Sequence, residues 1–317
     1  MNLLDVIRAE KRIRQYIRET PLEYSEYYSD VTNGRIFMKL ESLQVTGSFK
    51  VRGALNKIIT LSDKERSRGV VTASAGNHGK ALAYASMLFN IKAVIFVPEY
   101  APKTKIEAIK RYGAELKIVE GSYDKAEKKA REYAVEHGMT FVSPYNDSQI
   151  IFGQGTIGLE ILRDRPSVKN IVVPVGGGGL ISGISLAAKE INPEVRVYGV
   201  QSTSSPVMYE SLKAGRIVEV ELKPSIAEGL HGNIEKGSIT FDVIKKYVDE
   251  ILLVEEEYIV DAIRDLVKHH QLIAEGAGAA GLAALSKYND KFRGSETVVV
   301  VSGRNIDIER IKKILCS

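Results

Sequence analysis

Short β-branched runs alternate with stretches of helical periodicity along most of this chain, and that alternation leaves few folds open. "GVVTAS", "AVIFVP", "ELKIVE" and "TFVSP" are separated by helical patterns around 79–90, 102–112 and 123–136. A second series, "NIVVPV", "VRVYGV", "EILLV" and "TVVVVSG", alternates with helical patterns near 179–190, 206–214, 257–270 and 277–287. A strand returning parallel to its neighbour needs a crossover, which a helix supplies, so the rhythm predicts an α/β chain of two doubly wound units. In such sheets ligands bind in the crevice beyond the carboxyl ends of the strands. The length of 317 residues suits two domains. The expected division joins 1–69 to 149–317 as a large domain and sets 70–148 apart as a smaller one.

Composition narrows the partners. Hydrophobic residues at 44% and charged residues at 26% describe an ordinary globular chain. The net charge of +4 comes from 44 basic and 40 acidic residues that are interspersed, as in "KAEKKAREYAVEH", so no nucleic-acid stripe is expected and a small-molecule partner is. A single cysteine, Cys316, permits neither an intrachain disulfide nor a thiolate metal cluster, which suits a reducing compartment. Asp5 and Glu10 interrupt the apolar core a signal peptide would need, so a cytoplasmic location is expected. The uncharged run from Ile171 to Ala188 imitates a membrane span, but Pro174 and its glycines make it strand, turn and helix, and no membrane partner is expected.

Three stretches carry chemistry. In "VVPVGGGGLISGI" an apolar strand runs into Gly176, Gly177, Gly178 and Gly179 and then into an apolar helix. Such a turn presents backbone N–H groups to a phosphate, and four consecutive glycines cost more conformational entropy than a tight turn alone requires. A dinucleotide fingerprint does not fit, because its third glycine is replaced by Ile181 and the next strand ends at Gln201 instead of an acid. Its spacing is met at Gly153, Gly155 and Gly158 in "GQGTIG", yet polar "SPYNDSQ" precedes them, and the motif reads as packing where a helix begins.

In "TASAGNHGKALAYA", Ser74, Ala75 and Gly76 follow a buried strand, and Asn77, His78 and Gly79 open a helix. Converging N–H groups there suit a carboxylate, or else Ser74 or Asn77 is simply an N-cap. His78 taken alone reads as structural, and His137, His231, His269 and His270 lack metal-ligand spacing, so no metal is expected. "VTGSFKVRGALNKI" is the third stretch. Val51, Ala54, Leu55 and Ile58 repeat at helical spacing, Gly47 and Ser48 read as a start with a capping hydroxyl, and Lys50 falls in the first turn. An exposed ammonium there opposes the helix dipole by about 0.3–1 kcal/mol, which is either tolerated or avoided by a neutral amine.

A lysine able to be neutral, a phosphate cradle without dinucleotide features and an anion-binding turn together suggest pyridoxal 5'-phosphate and an amino acid. The chain resembles the threonine/serine dehydratase (ammonia-lyase) branch of fold-type II pyridoxal-phosphate enzymes, which also contains serine racemases. The resemblance runs in family order through "ESLQVTGSFKVRGA", "TASAGNHGKALA", "GQGTIGLEI", "VVPVGGGGLISG", "EGAGAAG" and "VSGRNID". It implies a tryptophan synthase β-like fold whose large domain holds the cofactor and whose small domain holds the substrate carboxylate, in a homo-oligomer. It further implies Lys50 as the Schiff-base lysine, Phe49 beside the ring, Asn77 at the ring hydroxyl, Gly176 to Gly179 on the phosphate and Ser302 at the pyridine nitrogen. Ser74, Ala75, Gly76, Asn77 and His78 would hold the substrate carboxylate. A lysine in imine linkage carries no isolated ammonium, and its freed amine is placed to take the α-proton. A neutral hydroxyl such as Ser302 does not stabilise a protonated ring nitrogen, which favours prompt loss of a β-hydroxyl and release of an α-keto acid and ammonia. Glu275 in "EGAGAAG" is a helix-start acid with no role assigned.

Departures from the branch sharpen the expectation. Where racemases resemble one another in a second serine, this chain has Ala75; where cation-binding members have a glutamate and an aspartate, it has Gln201 and Val207. The chain stops at Ser317, so no carboxyl-terminal regulatory domain, and no isoleucine feedback through one, is expected. The expected activity is deamination of L-threonine or L-serine. The alternatives are a dehydratase for a related β-hydroxy amino acid such as a hydroxyaspartate, a serine racemase and, from other classes, a nicotinamide oxidoreductase or a non-catalytic amino-acid sensor. Residues 227–241 are expected to line the mouth of the site.

Overall fold

The structure, a computed structural model, describes residues 1–316 apart from the Lys103 side chain; Ser317 lies outside them. In chain order the strands are β1 (Leu22–Tyr24), β2 (Arg35–Lys39), β3 (Val70–Ala73), β4 (Ala93–Pro98), β5 (Glu115–Val119), β6 (Thr140–Phe141), β7 (Asn170–Pro174), β8 (Arg196–Ser202), β9 (Glu250–Val254) and β10 (Glu296–Val300). They form one sheet in the order β1-β2-β10-β7-β8-β9 and a smaller one in the order β5-β4-β3-β6. All pairings are parallel except β1 with β2, as crossover helices require. Buried valines and isoleucines fill β3, β4, β7 and β10, because helices cover both faces. We call the layers built on the two sheets the larger and the smaller unit.

The sequence pattern located eight of these strands and missed β1 and β2. In β2, "RIFMK", Arg35 and Lys39 interrupt the apolar run, and the pattern gives no sign that Lys39 is fully buried by ion pairing. The glycine motif also needs a correction. Asp147 caps the helix Ser148–Asp164 by accepting the N–H groups of Gln149 and Ile150, so "GQGTIG" lies inside that helix and not at its beginning. Its glycines do serve packing: a Cβ at Gly153 would stand 2.6 Å from the Arg52 carbonyl oxygen, and one at Gly155 2.9 Å from that of Gly183. The helix can therefore touch both the helix Lys50–Ile59 and the helix Gly179–Ile191 at backbone distance. The run from Ile171 resolves into β7, turn and helix, and no helix among the described residues is long and apolar enough to cross a membrane.

A buried ionic cluster ties these helices to the larger sheet. The Arg52 guanidinium, fully buried, donates to Glu41 through Nε (2.8 Å) and Nη2 (2.7 Å) and to Glu160 through Nη1 (2.5 Å) and Nη2 (2.9 Å). Lys39 Nζ lies 2.7 Å from Glu160 Oε2 and donates to the Thr20 carbonyl, while the Thr20 hydroxyl donates to Glu41. Burial pushes the Glu160 carboxyl up, but Arg52 and then Lys39 outweigh it and hold it below its ordinary value. Two cations and two anions cancel, so no charge is left uncompensated, whereas removing one partner strands the others. Replacing Arg52 by Met should therefore lower stability by about 3–5 kcal/mol, read from urea midpoints of parent and variant under one condition. A loss below about 1 kcal/mol would show that Lys39 alone satisfies both carboxylates.

Candidate active site

Lys50 is the first residue of its helix. The capping hydroxyl expected at Ser48 is not made: Ser48 Oγ is buried without a partner, and the helix start is held from outside. Ser48 bridges Gly303 in antiparallel fashion, and the Phe49 N–H donates to the Ser302 carbonyl (3.1 Å). The loop after β10 thus takes the place of a cap. Lys50 Nζ donates to the Pro144 carbonyl (2.9 Å), and none of its neighbours forms an ion pair with it among the described residues. Burial draws its amine down to about 8, with the Glu275 carboxylate working the other way.

The glycine turn lies next to Pro144. Tyr145 carries its ring onto Gly177, where a Cβ would collide with the ring, and a Cβ at Gly179 would stand 3.0 Å from Tyr145 Cβ. Gly178, in the left-handed region at φ +88°, caps the helix Gly179–Ile191. The first intrahelical bond runs from the Ser182 N–H to the Gly178 carbonyl. Among the described residues, the N–H groups of Gly176 to Ile181 therefore have no acceptor in the protein. A row of unclaimed amides at a helix N-terminus is a site for a phosphate.

A second row lies at the carboxyl end of β3. The Lys80 N–H bonds the Gly76 carbonyl, leaving those of Asn77, His78 and Gly79 without acceptors, together with that of Ala75; Gly76 donates to Ser74 Oγ (3.2 Å). The Asn77 amide is held at both ends: its Nδ2 donates to Glu275 Oε1 (2.6 Å), and its Oδ1 accepts from Asn305 Nδ2 (2.6 Å). Glu275 is pushed up to about 7, chiefly by burial, with the Asn77 hydrogen bond acting in the opposite direction. The His78 ring is buried and its Nε2 donates to the Val142 carbonyl (3.1 Å). Burial, then the Lys50 charge, lowers it to about 3, so the ring is neutral near pH 7. Ala75 packs its methyl against the apolar cluster of Ile95, Val97 and Ile109. Ser302 is buried and its hydroxyl donates to the Ala277 carbonyl (3.3 Å), leaving its oxygen able to accept.

Lys50, the glycine turn, the Ser74–His78 turn and Ser302 are thus linked through Pro144, Tyr145, Glu275 and the Ser302–Gly303 loop. Their chemistry fits pyridoxal phosphate: unclaimed amides for a phosphate, an unpaired amine near neutrality for an aldehyde, and a neutral hydroxyl for a ring nitrogen. Sequence reasoning missed Tyr145, whose only signal was one aromatic in the polar "SPYND", and left Glu275 unassigned, because neither reads as functional before its neighbours are known.

Known proteins agree with this reading. Residues 13–303 match the family described as "Pyridoxal-phosphate dependent enzyme". The chain is 48% identical to the L-threonine ammonia-lyase of Thermotoga maritima, over 99% of this chain and 78% of that one. It is 43% identical to the catabolic L-threonine dehydratase TdcB of Staphylococcus aureus, over 99% and 92%. Maize serine racemase superposes with a TM-score of 0.94 at 34% identity, covering 98% of this chain and 96% of that one. Sequence and fold coincide over almost the whole length, and the chain therefore belongs to the fold-type II pyridoxal-phosphate enzymes, in their threonine/serine dehydratase and racemase branch.

Proposed function

We propose that this protein deaminates L-threonine and L-serine to the 2-oxo acid and ammonia, by loss of water and then hydrolysis. The observation that carries the choice over racemisation is Ala75: in the turn proposed to hold the substrate carboxylate, the side chain is a methyl packed against apolar neighbours and supplies no proton. The identity to an L-threonine ammonia-lyase supports the same choice.

Pyridoxal phosphate, when bound, supplies the electron sink for a carbanion at the substrate α-carbon. The phosphate would rest on the amides of Gly176 to Gly179, with Tyr145 closing their outer side. The carboxylate would lie on the amides at Ala75 and Asn77 to Gly79. Lys50 Nζ accepts the α-proton, a task for an amine with its affinity lowered by burial to about 8. Asn77, fixed by Glu275 and Asn305, offers a second N–H to the ring hydroxyl in a set direction. The His78 ring, bonded to Val142 and neutral, contributes its backbone and not an acid.

Four outcomes test this reading. Cofactor-loaded protein given L-serine should release keto acid with D-serine forming far more slowly; D-serine at a comparable rate would overturn the role given to Ala75. Lys50→Ala should lose at least about 10²–10⁴ in turnover. In the cofactor-free parent, competitive acylation followed by peptide mapping should show Lys50 gaining reactivity with a midpoint near 8, because the neutral amine is the nucleophile and burial extends it to lower pH. A midpoint in the ordinary lysine range would remove the poised amine. Gly177→Ala, whose new methyl meets the Tyr145 ring, should weaken cofactor retention on dialysis while the circular dichroism spectrum stays that of the parent. Parental retention would take the phosphate away from this turn.

A further inference from the structure

The reaction needs the carboxylate-holding turn of the smaller unit to stand at a fixed distance from Lys50 of the larger one. Besides Lys80, whose Nζ donates to Asn305 Oδ1 (3.0 Å) next to Asn77, two basic side chains of the smaller unit reach across, and both meet one segment, 227–238, whose regular structure is the single 3-10 turn Glu228–Leu230. Arg131 Nη2 donates to Glu235 Oε2 (2.9 Å), and Lys105 Nζ to Glu228 Oε2 (2.8 Å). The segment is itself anchored on the glycine turn. A Cβ at Gly176 would stand 3.1 Å from the Gly229 carbonyl oxygen, and the Glu235 N–H donates to the Tyr145 hydroxyl (3.1 Å), whose ring covers Gly177. Glu235 thus has a fixed backbone, and its carboxylate is the part that meets Arg131 and, less closely, the Ser143 hydroxyl (3.4 Å).

Arg131 is prepared for this contact. Its Nε and Nη2 also donate to Glu127 Oε1 (2.9 and 2.7 Å), one helical turn away, and its guanidinium lies 4.1 Å from the centre of the Phe141 ring. These contacts hold the guanidinium in place within its own unit, so the bond to Glu235 costs little further side-chain ordering. We propose that Arg131 and Glu235 are positioning residues for the reaction: with Lys105 and Glu228 they clasp the smaller unit to segment 227–238 and so set the Ser74–His78 turn over Lys50. The clasp is electrostatic and part-exposed, and salt weakens it.

This inference rests on the dehydratase reading for its kinetic arm and is independent of it in a second arm. At low salt, Glu235→Gln should raise KM for L-threonine about two- to fivefold with kcat nearly unchanged. Arg131→Met with Glu235→Gln should be less than additive, Arg131→Lys should keep most of the parental KM, and the difference between parent and Glu235→Gln should vanish at high salt. Additive effects, or a fall in kcat at parental KM, would overturn the clasp. The second arm is hydrogen exchange in the peptides spanning 227–238 of the cofactor-loaded protein, which should quicken in Glu235→Gln. If no β-hydroxy amino acid is turned over, the dehydratase reading fails while this exchange still decides the clasp, and unchanged exchange overturns it.

Discussion

One guanidinium, two residues beyond Lys50, governs how this site is built. Arg52 is held from opposite sides by Glu41, which follows β2, and Glu160, which lies in the helix Ser148–Asp164. Lys39 of β2 closes the cluster on Glu160. Because Lys50 and Arg52 share the first turn of one helix, the bidentate grip on Arg52 fixes that helix in rotation and so fixes the direction in which Lys50 leaves it. Desolvation makes such a cluster a weak source of net stability. Its value is geometric, since planar forks accept carboxylates in few orientations.

Around the lysine, burial shifts each titratable group toward its neutral form: Lys50 down to about 8, Glu275 up to about 7 and His78 down to about 3. Burial thus weakens these charges without removing that of Lys50, which is still largely protonated at pH 7. To these groups the protein adds two rows of unclaimed backbone amides, one at the carboxyl end of β7 and one at the carboxyl end of β3. Anionic groups entering from outside meet oriented dipoles in surroundings of low polarity, where such dipoles act strongly. A phosphate and a carboxylate at opposite ends of one ligand would be held without a lysine or arginine at either end.

Most of this arrangement was legible in the chain because it depends on backbone. The glycine turn and the Ser74–His78 turn announce themselves where an apolar run stops and a helix starts, and eight strands show as β-branched runs. What the pattern hid depends on partners distant in sequence. β2 is hidden because its buried Lys39 is neutralised by Glu160, far along the chain, and Ser48 reads as a cap because the loop after β10 that replaces it lies near 303. Tyr145 and Glu275 were silent for the same reason: each acquires meaning only beside Gly177 or Asn77. "GQGTIG" reads correctly as packing but lies in the middle of its helix and not at its start, because Asp147 caps the helix six residues before Gly153.

The smaller sheet enters the chain at β3 and leaves at β6, and these two strands are hydrogen-bonded neighbours. In chain order everything between them is inserted through these two adjacent strands, even though its helix Asn77–Leu88 also packs on the helix Lys50–Ile59, so the unit is an insertion whose ends lie side by side. Such an element can be lengthened, trimmed or exchanged without rethreading the larger sheet. The part proposed to meet the substrate's carboxylate is thereby free to diverge in descent or by design, while Lys50 and the glycine turn keep their places in the layer beneath it.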